Sequence, residues 1–139
     1  MTPLVLVLDT NVFMSAIFFA GTPYTILEAW KNGDVRLVVS QEILDEYNEV
    51  AHRLQKDFPA IDISSWLSFV KANAGMVEAV PLPVPVCSDP DDDMFLACAK
   101  AAHGAVICSG DKALLATSGY CDIEVLKPRE VIQRINRRE

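Results

Sequence analysis

Short, uninterrupted apolar runs recur along this chain: PLVLVL near the N-terminus, RLVVS from Arg36 and AVIC from Ala105, separated by longer stretches of helical periodicity. A strand apolar at every position, rather than at every second one, is buried on both faces, as in parallel sheets covered by helices. The alternation therefore predicts an α/β domain with a mainly parallel sheet. Strands are expected at Leu4 to Asp9, Val35 to Val39, Met76 to Val80 and Ala105 to Cys108, with an edge strand at Ile123 to Leu126. Helices are expected at Val12 to Phe18, Pro23 to Lys31, Ser40 to Lys56 with Ser40 as N-cap, Ser64 to Ala74, Asp89 to His103, Lys112 to Ala116 and Pro128 to Arg137. PLPVPV, from Pro81, is too rich in proline for an interior strand and reads as an extended connector.

The 139 residues suit one domain, 1–139, long enough to bury a real core. No apolar run approaches the roughly 20 residues needed to cross a bilayer. The first run follows no basic segment and stops at an acid, so neither a membrane span nor a secretory signal is expected. Cys87, Cys98, Cys108 and Cys121 form no CxxC pair and read as reduced packing residues of a cytoplasmic protein.

Four carboxylates stand at the ends of these elements: Asp9 closes the first strand, Glu46 lies early in the third helix, Asp92 lies in SDPDDDMF, and Asp111 follows the fourth strand. Acids after two buried strands, joined by acids on following helices, resemble an oxygen-only site for a hard cation such as Mg2+ or Mn2+; zinc would favour Cys and His. In open α/β sheets ligands gather beyond the carboxyl ends of the strands where strand order reverses, so Asp9 and Asp111 share a site if their strands are neighbours there.

Helical phase sorts the remaining acids. On the third helix Ile43, Tyr47, Val50 and Leu54 form an apolar stripe, widened by Leu44 and Ala51, and Glu46 is the acid nearest to it. Glu46 is then either a boundary glutamate or a side chain reaching a cleft at the rim of the core. Four acids within five positions, at 89 and 91–93, exceed what a helix N-terminus needs, because adjacent like charges repel. Asp92 lies in line with Phe95, Leu96 and Ala99 and caps the buried face, whereas Asp93 lies over Ala97 and Lys100, toward solvent. Asp111 also reads as the N-cap of the helix after it. His52 and His103 stand at no ligand spacing, and Ser15, Ser40 and Ser109 lack a GxSxG context.

A net charge of −7 argues against a nucleic-acid partner unless bound cations offset the converging acids and themselves attract phosphate. The last thirteen positions hold Lys127, Arg129, Arg134, Arg137 and Arg138. They read either as the solvated face of a final helix or as an RNA-backbone patch, the latter formed by Arg134, Arg137 and Arg138.

DTNVFMSA after the first strand, S-x5-E on the third helix, DPDDDMFLACA, and SGDKALL followed by an edge strand and PREVI together resemble the PIN-domain ribonucleases, over Leu4 to about Ile135. The resemblance is closest to the VapC-like toxin components of bacteria and archaea. It implies a three-layer α/β/α fold around a mainly parallel sheet of four or five strands, and Mg2+- or Mn2+-dependent cleavage of RNA. It makes Asp9, Glu46, Asp92 and Asp111 the catalytic and metal-binding quartet, surrounded by Asn11, Ser109 and Asp93. This chain has Asp93 where the family commonly has Asn. A homodimer and a protein antitoxin are the partners implied.

Two other classes compete. Haloacid-dehalogenase-like phosphatases also place an Asp after the first strand but need a second Asp two positions on, where this chain has Asn11, whose amide cannot give up a proton at neutral pH. Within the resemblance, the alternatives to a toxin are an RNA-processing or turnover nuclease without an antitoxin, and an inactive interaction protein whose acids only cap helices. The last of these predicts no carboxylate-dependent stabilisation by Mn2+.

Overall fold

Leu4–Leu8 (β1), Val35–Val39 (β2), Gly75–Met76 (β3), Val106–Cys108 (β4) and Val125–Leu126 (β5) pair into one all-parallel sheet of order β3-β2-β1-β4-β5. The structure is a computed structural model and describes residues 3–138, with Arg138 by its backbone alone. The expected neighbour relation of the first and fourth strands is present: Leu6 pairs in register with Val106 and Leu8 with Cys108. β1 is central, and Leu6, Val7 and Leu8 are all buried, as an apolar run covered on both faces requires.

Seven helices connect and flank the strands among the described residues: α1 (Thr10–Phe18), α2 (Thr22–Lys31), α3 (Gln41–Gln55), α4 (Ile63–Asn73), α5 (Asp93–Ala102), α6 (Lys112–Leu115) and α7 (Pro128–Arg138). Connections run one way from β1 to β2 to β3 and the other way from β3 to β4 to β5. Right-handed crossovers then place α1 to α4 on one face of the sheet, and α5 and α6 on the other. α5 packs on β1, β2 and β4, and α7 returns to pack on α2. One contiguous apolar core results. No single helix among the described residues is long and apolar enough to cross a membrane.

The edge strand is shorter than expected, Val125–Leu126 rather than Ile123 to Leu126, and two further elements depart from the expected ones. The third strand ends at Met76, with Val77 N–H still reaching the Val39 carbonyl at 2.9 Å, instead of running to Val80. Pro81, Pro83 and Pro85 remove every donor on one side of the following segment, so it leaves the sheet edge as the expected connector. The helix expected from Asp89 begins instead as a 3-10 turn, Pro90–Asp92, before α5. Asp89 accepts the Asp91 N–H at 3.0 Å and tightens that turn.

Candidate active site

Asp9 passes straight from β1 into α1 and N-caps it, one carboxylate oxygen accepting the Val12 N–H at 2.8 Å. Its other oxygen accepts the hydroxyl of Ser109, which lies just past β4. The Ser109 hydroxyl oxygen in turn accepts the Asp111 N–H at 3.0 Å. The two strand ends at the point of reversal are thus joined through polar groups, with Asp9 only 4% exposed and Ser109 fully buried. Asp111 N-caps α6 through Leu114 N–H at 3.3 Å and stands in solvent. Both acids therefore cap helices while presenting carboxylate to one place.

α3 is fastened across these ends by Tyr47, whose ring stacks on Phe13 with centroids 4.3 Å apart and whose hydroxyl donates to the Leu8 carbonyl. That docking sets its neighbour Glu46, half-buried, beside Thr10, whose hydroxyl donates to the Glu46 carboxylate. Helical phase places the other acids of α3 as expected: Glu42, Asp45 and Glu49 are exposed.

Asp92 differs from the other aspartates at helix starts. It carries the 3-10 turn into α5 with helical backbone angles, and its side chain accepts no capping hydrogen bond, because Asp89 already caps the turn. Its side chain is half-buried with no structural use of that kind.

These groups line one cleft of about 360 Å3 beyond the carboxyl ends of β1 and β4: Asp9, Thr10, Asn11, Glu46, Val50, Arg53, Asp89, Asp92, Phe95, Asp111 and Ala113. A second depression of about 320 Å3, between the proline connector and α5, is mainly apolar and lies apart from the quartet. Burial, then the charges of Asp89, Asp111, Asp9 and Glu46, push the Asp92 carboxyl up to about 6. Burial also raises Asp9, and the charges of Asp111 and Glu46 add to it, against the stabilising Ser109 hydroxyl and Val12 amide.

Five carboxylates at one cleft, two of them resisting ionisation, form an anionic, oxygen-only donor set that suits a hard divalent cation. Among the described residues no three His, Cys, Asp or Glu side chains are grouped so as to hold a metal ion as they stand. An open arrangement suits Mg2+, which keeps several waters and takes one or two carboxylates, better than an all-protein cage would. Asp9, Glu46, Asp92 and Asp111, the acids that the family resemblance names for a cation, all line the cleft.

The expected residues separate into three groups. The quartet and Asn11 line the cleft, and Ser109 lies behind Asp9. Asp93 turns away, neither into the cleft nor simply into solvent: it accepts the Cys87 N–H at 2.7 Å and the Val86 N–H at 3.1 Å, pinning the connector to α5. Arg134 forms a two-bond ion pair with Glu124, at 2.8 and 3.0 Å. Next to Arg137, Ile135 and Asn136 share a depression with Asn32 and Asp34, at the entrance to β2 and the opposite end of the sheet from the cleft. The Arg138 side chain lies outside the described residues. Thr10, Asp89 and Arg53 line the cleft without having been singled out. Arg53 had a legible signal, since Glu46, Val50 and Arg53 fall at i, i+4 and i+7 on α3.

The family profile described as PIN domain matches residues 5–113. The crystal structure of PAE2754 from Pyrobaculum aerophilum superposes with a TM-score of 0.64 over 97% of this chain and 90% of that one, at 16% identity, a likeness of fold. No curated protein matches the sequence significantly.

Proposed function

Because the chain belongs to the PIN domain family, whose members are generally nucleases, we propose that it is a divalent-metal-dependent endoribonuclease hydrolysing RNA phosphodiester bonds. The observation that carries this reading is the convergence of Asp9, Glu46, Asp92 and Asp111 on one cleft at the β1/β4 reversal, with Asp92 spared from capping. Mg2+ or Mn2+ would be held by these four side chains. A bound cation supplies positive charge against the phosphate and lowers the pKa of water. The chain supplies the placement: Ser109 and Val12 orient Asp9, Thr10 orients Glu46, and the Asp89 cap leaves Asp92 free. Val50 and Phe95 give the cleft apolar wall, which lessens screening around the acids. Asn11, at the cleft surface, is placed to hydrogen-bond substrate or water.

We carry the reading one step further, to the toxin component of a toxin–antitoxin pair, cytoplasmic and homodimeric, on the family resemblance. A neighbouring small gene for a DNA-binding antitoxin would support that role; its absence would favour RNA processing or turnover.

The direct test is cleavage of single-stranded RNA by the purified chain in Mn2+ or Mg2+, and its arrest by EDTA. Asp9→Asn should lower the rate by more than about 100-fold, since even the outer partners of a metal site are worth about 10–100-fold. The fold should survive: Asn caps a helix as well as Asp does, and its amide can donate to the Ser109 oxygen with the bond reversed. Undiminished cleavage in EDTA would remove the metal mechanism, and an unfolded Asp9→Asn chain would make Asp9 structural.

A further inference from the structure

Arg53 is the one cationic side chain that lines the acidic cleft among the described residues. It lies on the Glu46 stripe of α3, seven residues further on, or roughly 10 Å along the helix axis. Exposed, and about two helical turns from Glu46, the side chain lines the mouth of the cleft.

Its pairing is the informative point. Five carboxylates line the same cleft, yet among the described residues the only ion pair is Arg134 with Glu124. A guanidinium serving to neutralise the quartet would close on one of those carboxylates, as Arg134 closes on Glu124. Arg53 instead leaves its donors unspent at the edge of a cleft whose remaining charges all repel a phosphodiester. A guanidinium is a planar fork of five donors that matches phosphate oxygens two at a time.

We propose that Arg53 is a substrate contact that binds a phosphate of the RNA strand next to the one being cleaved. The inference rests on the nuclease reading above and gives that site its first positive contact to the substrate backbone. Arg53 binds and aligns the strand, so that the neighbouring phosphodiester lies over the acids, which would hold the cation. Its place in the last turn of α3 also suits the helix dipole, a role that affects stability but not substrate affinity.

Steady-state cleavage of a single-stranded RNA oligonucleotide by the full chain in Mn2+, across a series of salt concentrations, tests the proposal. Arg53→Gln should raise KM about tenfold or more, with kcat changed far less, since hydrogen bonds to charged groups are worth about that much. The slope of log(kcat/KM) against log salt should flatten by about 0.7, the share of one phosphate contact on a single strand. Arg53→Lys should recover the slope, because it keeps the charge, but only part of the KM. The Mn2+-induced rise in Tm should persist or grow in Arg53→Gln, because removing a cation leaves the acids more negative. Wild-type KM and salt slope in Arg53→Gln would overturn the proposal while leaving the nuclease reading standing. So would a raised KM accompanied by a lost Mn2+ shift, which would place Arg53 in the metal site instead. A wild-type chain that does not cleave RNA in Mn2+ would overturn both.

Discussion

Asp93 uses both carboxylate oxygens on the backbone, one for Cys87 N–H and one for Val86 N–H. Burial alone would raise its pKa, but these amides and the Cys87 thiol outweigh it and hold the carboxyl below its ordinary value. Asp92, one residue earlier, spends nothing on capping, and burial and then the surrounding acids push its carboxyl up to about 6. Identical chemistry thus predicts opposite phenotypes. Asp93→Asn must face one of the two amides with its own NH2 group, and leaving that amide unsatisfied costs about 1–3 kcal/mol. Its Tm should fall by several degrees while Mn2+-dependent cleavage, assayed well below that Tm, continues. Asp92→Asn breaks no capping bond, so it should keep its Tm in EDTA, or raise it, and lose most cleavage. Parallel Tm and activity measurements check this; equal loss of cleavage in both variants would show that the whole acidic turn acts on the substrate.

At the level of elements, the site depends on how α3 is docked, and Tyr47 does the docking. Tyr47→Phe keeps the stacking on Phe13 but takes the phenol donor away from the Leu8 carbonyl at the end of β1. The expected cost is about 1–3 kcal/mol. Glu46, no longer locked in register beside Thr10, should make cleavage several-fold slower with little change in KM. A Tm equal to wild type would mean that the phenol bond contributes nothing. This contact also marks how far the sequence could be read. Runs buried on both faces located β1, β2 and β4, and the phase of α3 singled out Glu46, because strand burial and helical phase are local properties. Tyr47 was legible only as one member of an apolar stripe, since its hydroxyl partner lies 39 residues away. Thr10 carries no local signal beside Asn11 for the same reason: its bond to Glu46 exists only once α3 lies across the end of β1. Helical phase alone points Asp93 to solvent, because it carries no information about a proline segment that folds back over that face.

Over the whole molecule the net charge is −7, and five of the carboxylates meet at one cleft, where their mutual repulsion opposes folding unless protons or cations offset it. The sign follows from the raised groups. Burial and then the neighbouring acids push the Asp92 carboxyl up to about 6 in the folded chain, above the ordinary aspartate value of about 3.9. Its stabilising contribution is therefore complete below about pH 4 and disappears as pH rises through about 6. Asp9, also raised, acts in the same direction. Asp62, Asp93 and Glu124 are lowered, so their contributions are lost only as pH falls below the ordinary carboxylate range, a separate window. In EDTA, then, Tm should decline between pH 4.5 and 7, and Asp92→Asn should decline less. Mn2+ should reverse the decline, because a ligand that binds only the folded state stabilises by about 2.7 kcal/mol at 100 times its Kd. It should do so at pH 7 and hardly at pH 4.5, where protons occupy the same oxygens. Thermal melts at the two pH values, with Mn2+ and with EDTA, decide the matter: a Mn2+ shift of equal size at both would mean that the cation binds somewhere other than these carboxylates.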